Sequence, residues 1–183
     1  MVSPIGFVYR YMRISGLTFL VDVLLNCVEG MQLQQATQAK IVPFAVEAAW
    51  ATGRWETLAK YLDLSKSSDA AYVDFDVAIG EVFRDLQQGN TKNLIPAINS
   101  VRERIAASMG LTETASMQAC HDIMLRCHVL ADLELVISSQ ASEGQENKEV
   151  MKVLQRRLDV LGSHVEDKQY LLSIQRAVLE LRR

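Results

Sequence analysis

The sequence predicts an all-α fold of about nine helices, paired as antiparallel hairpins and stacked as a short tetratricopeptide-like solenoid. The chain has 183 residues but only three prolines, and helix-forming residues dominate it. Apolar side chains recur at three- and four-residue steps along most of the sequence. A tight turn at Gly53 joins two such stretches, because glycine can take the left-handed conformation that ends a helix.

The stretch FAVEAAWATGRWETLAKYL, Phe44 to Leu62, holds the clearest hairpin. Its second helix has apolar residues on one face that can pack back on Trp50 and Val46. The two tryptophans could instead line a peptide groove, but large aromatics contribute most when they are fully packed. A buried Trp55 predicts a loss of about 3–5 kcal/mol for Trp55→Ala. We therefore predict a structural hairpin joint formed by Trp50, Gly53, Trp55, Leu58 and Tyr61.

Each of the first five predicted helices has apolar residues along one face and ends at residues that favour a turn or loop. Pro43 is tolerable if the third helix begins near Lys40, because a first-turn proline loses no hydrogen bond. Ser68 and Asp69 are candidate N-caps for the fifth helix. The predicted spans are Pro4–Ile14, Leu17–Glu29, Lys40–Thr52, Arg54–Leu64 and Ala70–Gln88.

Apolar spacing also predicts the buried faces of three of the remaining four helices. They are Leu94, Ile98, Val101 and Ile105 on the sixth, Val150, Leu154, Leu158 and Leu161 on the eighth, and Leu171, Ile174, Val178 and Leu181 on the ninth. The sixth starts after Asn93 with Pro96 in its first turn, and the seventh has apolar residues on more than one face, which predicts contacts on two sides. Asp167 is the candidate cap of the ninth helix. The predicted spans are Leu94–Gly110, Thr112–Ser138, Asn147–Leu161 and the stretch that follows Asp167, with a loop at SQASEGQE before the eighth helix.

Composition limits the classes of function. A net charge of −3 gives no electrostatic case for nucleic acid or an anionic membrane as a partner. The three cysteines lack the spacing of a disulfide framework, which predicts free, buried thiols in a reducing compartment. The apolar run Leu17–Val28 is too short to span a bilayer, so we predict a soluble intracellular protein. The last helical pattern still runs at Arg182-Arg183, which predicts a fragment of a larger chain.

The most tempting chemical motif is ACHDIMLRCH, with Cys120-His121 and Cys127-His128. The two pairs are seven residues apart on one helix, or roughly 10 Å, whereas ligands on one helix share a metal at a three- or four-residue step. We therefore predict ordinary core cysteines and partly exposed histidines. Phosphate-binding and kinase catalytic motifs are also missing, so we predict no catalytic, cofactor-binding or metal-binding residue. Arg156-Arg157 and Arg182-Arg183 are interpreted as solvated outer faces.

Three stretches carry a family resemblance. The hairpin has Val46-Glu47-Ala48-Ala49-Trp50, then Trp55, Leu58, Tyr61 and Leu62 in the pattern W-x-x-L-x-x-Y-L. The second stretch is LRCHVLADLE, Leu125 to Glu134, and the third is the helix pair Leu154 to Leu181. In this order they resemble the FAT region of ATR-type checkpoint kinases, which are phosphatidylinositol-3-kinase-related protein kinases.

The resemblance implies a single FAT-type segment over residues 1–183: a non-catalytic array of helix pairs that clasps a kinase domain and takes part in dimerisation. The parent proteins are nuclear, phosphorylate serine or threonine followed by glutamine, and work with an ATRIP-type partner in the DNA damage checkpoint. ATP and Mg²⁺ would then belong to the parent's kinase domain, not to this segment. From the residues alone, a free-standing adaptor that binds a peptide or partner helix and a small enzyme stay open.

Overall fold

The computed structural model describes residues 35–66, 74–110, 116–139 and 145–182, together with Asn26, Cys27 and Gly30. These residues form seven α-helices and no strand: α1 (Gln35–Ala51), α2 (Trp55–Lys66), α3 (Phe75–Gln87), α4 (Thr91–Gly110), α5 (Met117–Ser138), α6 (Gln145–Val160) and α7 (Val165–Leu181). The predicted helix Pro4–Ile14 and nearly all of Leu17–Glu29 lie outside the described residues. None of the seven helices combines the length and apolar character needed to cross a membrane. The chain divides into two compact units, Met1–Arg84 and Asp85–Arg183.

In the first unit, α1 and α2 fold back on each other through the turn at Gly53. Gly53 has φ +73°, as its predicted role requires. Its N–H donates to the carbonyl of Trp50 at 3.3 Å, and the next N–H, of Arg54, donates to Ala49 at 2.8 Å. This pair of bonds is the Schellman motif, which satisfies the last carbonyls of a helix and turns the chain.

Helix α3 completes the core of the first unit. Its N-terminus is held by Asp74, whose carboxylate accepts the N–H of Asp76 at 2.9 Å. The predicted caps Ser68 and Asp69 lie outside the described residues. The largest side chains of this core, each under 2% exposed, come from all three helices: Trp50, Leu58, Leu62, Ile79 and Phe83.

In the second unit, α5 contacts α4, α6 and α7, and α6 also contacts α7. The predicted inward faces of α4 and α6 are confirmed, because every member is buried: Leu94, Ile98, Val101, Ile105, Val150, Leu154, Leu158 and Leu161. On α7, Leu171, Ile174 and Val178 are buried as predicted, whereas Leu181 is only half-buried.

The predicted positions of two prolines are wrong. Helix α1 begins at Gln35, so Pro43 lies in its interior, and Pro96 lies a turn inside α4. A proline there has no N–H for the backbone ladder and normally costs about 3 kcal/mol. Both helices continue because packing overrides this local cost: Val42 and Val46 on either side of Pro43 are buried, as are Leu94 and Ile98 beside Pro96.

The prediction that α5 is contacted on more than one side agrees with its contacts to α4, α6 and α7, but the helix is not buried along its whole length. Met117 is 88% exposed and Met124 is 51% exposed, whereas the buried residues all lie in the second half of the helix: Val129, Leu130, Asp132, Leu133 and Val136. Cys120 and Cys127 are also exposed, and so is Cys27, which corrects the prediction of buried thiols. The first turns of α5 contact the start of α7 through His121 and Asp167, and Met117 and Met124 are exposed to solvent.

Candidate functional site

The five residues predicted as the hairpin joint lie on α1, on α2 or in the turn between them, and they differ in burial. Trp50 is 1% exposed, and its ring centre lies 5.5 Å from that of Phe83 on α3. Trp55 is only half-buried and meets the same ring edge-on at 6.3 Å. Leu58 and Tyr61 are buried, at 0% and 6% exposure. Phe83 therefore links the two tryptophans, which sequence reasoning had paired with each other, so Trp50 and not Trp55 is the deeply buried member.

Gly80 of α3 is a packing residue that sequence reasoning missed. A β-carbon built at this position would lie 2.6 Å from Val46 Cγ1 and 3.2 Å from Leu58 Cδ1. The α3 backbone therefore approaches the α1–α2 hairpin more closely than any larger residue allows. The available signal was the glycine itself, because a glycine inside a helical pattern costs about 1 kcal/mol relative to alanine and usually has a packing reason.

A buried carboxylate ties together three helices of the second unit. Asp132 of α5 has 0% exposure. Arg157 of α6 donates to its Oδ1 at 2.8 Å, and Gln175 of α7 donates to its Oδ2 at 2.7 Å. Both carboxylate oxygens are therefore paired. Removing Asp132 leaves Gln175 buried and Arg157 partly buried without a partner, which costs more than losing an exposed ion pair.

Burial raises the pKa of Asp132 above its ordinary value, because the apolar surroundings disfavour the charged form. The hydrogen bond from Gln175 and the positive charge of Arg157 oppose this shift and lower the pKa in part. Burial therefore disfavours the charged form of Asp132, and the contacts with Gln175 and Arg157 favour it. Its chemistry is that of a structural junction, because both oxygens face protein donors.

One arginine of each basic pair makes an internal contact, whereas Arg156 is exposed as predicted and Arg183 lies outside the described residues. Arg157 binds Asp132, as described above, and Arg182 donates to the carbonyls of Val136 and Ser139 at the end of α5. A guanidinium there satisfies the last carbonyls of the helix and offsets their partial negative charge. The interpretation of Arg157 and Arg182 as solvated is therefore wrong, and the reason is that their partners lie 25 and 46 residues away in sequence.

The second unit also contains an open cleft between the start of α5 and the start of α7. Its volume is about 660 Å³, and its lining comprises Met117, Gln118, His121, Ser163, His164, Val165, Glu166 and Asp167. Asp167, predicted as the cap of α7, instead lies in its first turn, and His164 occupies the cap position without a side-chain capping bond. Asp167 is free for another role, because the helix begins at Val165.

That role is a contact with α5. The Nε2 atom of His121 lies 2.8 Å from Oδ2 of Asp167, and Nδ1 of His164 lies 3.9 Å from the same oxygen. The two imidazole rings are 5.4 Å apart between centres. In sequence, His121 stands beside Cys120, which is not part of this set. The spacing His164-x-x-Asp167, from the cap to the first turn of α7, is the three-residue step typical of residues that share a ligand, and it is the signal that could have found the set. Among the described residues, this is the set whose donors could hold a metal ion.

Comparison with known protein families adds an independent finding. The model of the FAT domain matches residues 42–183, which begins inside α1 and includes every later helix. The FAT domain is a non-catalytic helical region found in phosphatidylinositol-3-kinase-related kinases. The matched residues include the α1–α2 joint from Val42 onward, Asp132 with its partners Arg157 and Gln175, and the cleft that His121, His164 and Asp167 line. This chain belongs to the FAT domain family.

Proposed function

We propose that this chain is a non-catalytic scaffold segment of an ATR-type serine/threonine protein kinase that acts in the DNA damage and replication checkpoint. The finer assignment is supported by the resemblance of the hairpin sequence to that of ATR-type kinases. The residues that resemble the ATR-type hairpin are also the core of the α1–α2 joint: Val46, Trp50, Leu58 and Leu62 are each at most 1% exposed. The coarser statement, a helical FAT scaffold, rests on the family match.

The proposed mechanism is mechanical support. Stacked tetratricopeptide-like hairpins would form a curved array in which each helix pair contacts its neighbours, so that small shifts add along its length. The close packing at Gly80 and the paired carboxylate of Asp132 are the kind of contacts that keep helices in fixed register. The partners would be the kinase domain and neighbouring repeats of a larger chain, a second copy, and an ATRIP-type protein in the nucleus. ATP and Mg²⁺ would bind the parent's kinase domain.

The proposal is tested by precipitating the endogenous protein with an antibody raised against this chain. We expect a nuclear band far larger than the 20.5 kDa of the chain, and a precipitate that phosphorylates a Ser-Gln peptide but not its Ser-Ala counterpart. A band near 20.5 kDa, or a precipitate without kinase activity on the Ser-Gln peptide, would contradict it.

A second readout distinguishes an ATR-type kinase from other kinases that contain a FAT domain. Mass spectrometry of the same precipitate should contain an ATRIP-type partner in near-equal amount. A large Ser-Gln kinase that precipitates without such a partner would leave the FAT assignment intact and refute the ATR-type one. The control is the same antibody blocked beforehand with the purified chain.

The second candidate is a free-standing adaptor that binds a peptide. The open cleft favours it, because polar side chains from two helices converge there, among them Gln118, His121 and Asp167. This candidate predicts the small band in the immunoblot and a peptide that binds the purified chain but not a Gln118→Ala variant. Gln118 is exposed, so its truncation should leave the fold unchanged.

A further inference from the structure

We propose that His121, His164 and Asp167 form a binding site for a divalent transition-metal ion of the zinc type, with an open coordination position toward the cleft. This inference concerns the second unit alone and does not depend on the identity of the parent protein. It starts from three side chains of the chemical types that zinc prefers, two imidazoles and a carboxylate. Their ligand atoms all lie within 4.8 Å of one another.

The spacing is close to what a metal ion needs. Zinc binds nitrogen and oxygen ligands at about 2.0–2.2 Å in a tetrahedral arrangement, which places the ligand atoms roughly 3.3 Å apart. The distance from His121 to Asp167 would have to lengthen from 2.8 Å, and that from His164 to Asp167 would have to shorten from 3.9 Å. Each of these two changes is about half an ångström, and the two histidine nitrogens, which lie within 4.8 Å of each other, would also have to approach to about 3.3 Å.

The exposures of the three side chains fit such a site. Those of Asp167 and His121 are mostly covered, at 15% and 27%, so two ligands are held in place by packing. The side chain of His164 is 68% exposed, and its ring can swing onto an ion that has already bound. Two fixed ligands with one mobile ligand form a site that can fill from solvent without unfolding.

The cleft supplies the fourth coordination position. Its volume of about 660 Å³ opens directly beside the three ligands, so water or a donor from another molecule can complete the tetrahedron. The ion would also link the first turn of α7 to α5, in the part of α5 that is otherwise exposed. Metal binding should therefore stabilise the second unit, since a ligand that binds the folded state alone raises its stability.

The test is a calorimetric titration of Zn²⁺ into the full 183-residue chain, with every cysteine changed to serine so that thiols cannot bind the ion. We expect one ion per chain and a higher melting temperature with Zn²⁺. Changing a neighbour that merely orients a zinc ligand weakens affinity about 10–100-fold, so loss of a ligand in His121→Ala or His164→Ala should weaken it by at least about tenfold.

His128 is the matched control, because it is the third of the chain's three histidines and lies on the same helix as His121, seven residues further on. His128→Ala should bind Zn²⁺ like the parent. His164→Ala is the decisive variant, since its exposed side chain is not needed for folding, and circular dichroism checks that each variant stays helical. Titration with Co²⁺ provides a second readout, because four-coordinate imidazole and carboxylate ligation gives an intense visible absorption.

Two results would overturn the proposal. One is the absence of saturable Zn²⁺ binding by the folded chain. The other is binding that is equally weakened in His128→Ala and His164→Ala, which would mean that the histidines bind the ion independently at the surface.

Discussion

Substituting Gly80 by alanine is the most direct test of how α3 packs on the α1–α2 hairpin. The added β-carbon would lie 2.6 Å from Val46 Cγ1, whereas carbon atoms in ordinary contact are about 3.5 Å apart. The methyl group would therefore have to move by about 0.9 Å. Val46 cannot do so by rotation, since a β-branched residue in a helix has one strongly preferred rotamer and this one is fully buried.

Two opposing terms determine the size of the effect. Overpacking a core costs about 1–3 kcal/mol. Alanine is better than glycine inside a helix by about 1 kcal/mol. We expect Gly80→Ala to lower the free energy of unfolding by about 1 kcal/mol in net terms, measured by urea denaturation followed by circular dichroism.

A double-mutant cycle then identifies the cause. Val46→Ala removes the methyl group that clashes, so Gly80→Ala in that background should become stabilising by up to about 1 kcal/mol. The control is Ala106→Gly on α4, at an exposed helical position where only propensity changes, with an expected loss of about 1 kcal/mol. If Gly80→Ala stabilises the unmodified chain as much as Ala106→Gly destabilises it, the close approach of α3 does not exist.

Four further predictions use the same denaturation assay. Trp50→Ala should cost about 3–5 kcal/mol and Trp55→Ala clearly less, because Trp50 is 1% exposed and Trp55 is half-buried; equal losses would contradict this assignment of the core. Gly53→Ala should cost about 1–2 kcal/mol through its φ of +73° alone, because a β-carbon there meets nothing within 4 Å, and Gly53→Asn should cost less. Asp132→Ala should cost about 3 kcal/mol, the lower end for a broken buried pair, because Gln175 is left buried and Arg157 partly buried without their partner. The pKa of Asp132 is raised on folding, so the native state holds the proton more tightly than the unfolded chain. Its contribution to stability is therefore complete below the ordinary aspartate pKa and is lost as the pH rises through the folded value. The stability of the parent relative to Asp132→Asn should consequently increase as the pH falls through that range, and a flat or opposite trend would refute the raised pKa.

The sequence determined those parts of the molecule that depend on neighbours along the chain. The apolar spacing located the buried faces of α4 and α6, since the positions on one side of a helix recur every three to four residues. Gly53 and Gly89 both adopt positive φ at helix ends, because the Schellman motif needs a residue that tolerates the left-handed region. The hairpin stretch also carried the resemblance to the family that the comparison found.

Helix-propensity rules predicted Pro43 and Pro96 in first turns, and both lie further inside their helices. These rules include the cost of the missing proline N–H, but they do not include the burial of the apolar residues on either side. Asp167 shows the same effect: its position suits a helix cap, but the helix begins at Val165 and the carboxylate binds His121. In both cases packing between helices outweighed a local preference worth about 1–3 kcal/mol, against an interior proline in one case and for an aspartate cap in the other.

Only the tertiary structure decided which distant side chains meet. Asp132 pairs with Arg157 and Gln175 over separations of 25 and 43 residues, and His121 meets Asp167 over 46. No periodicity within one helix encodes such pairs, because the partner depends on how two helices are rotated and offset against each other. The sequence therefore determined where the helices turn and which faces they bury. Packing determined that a glycine, a carboxylate and two histidines lie at the contacts between them.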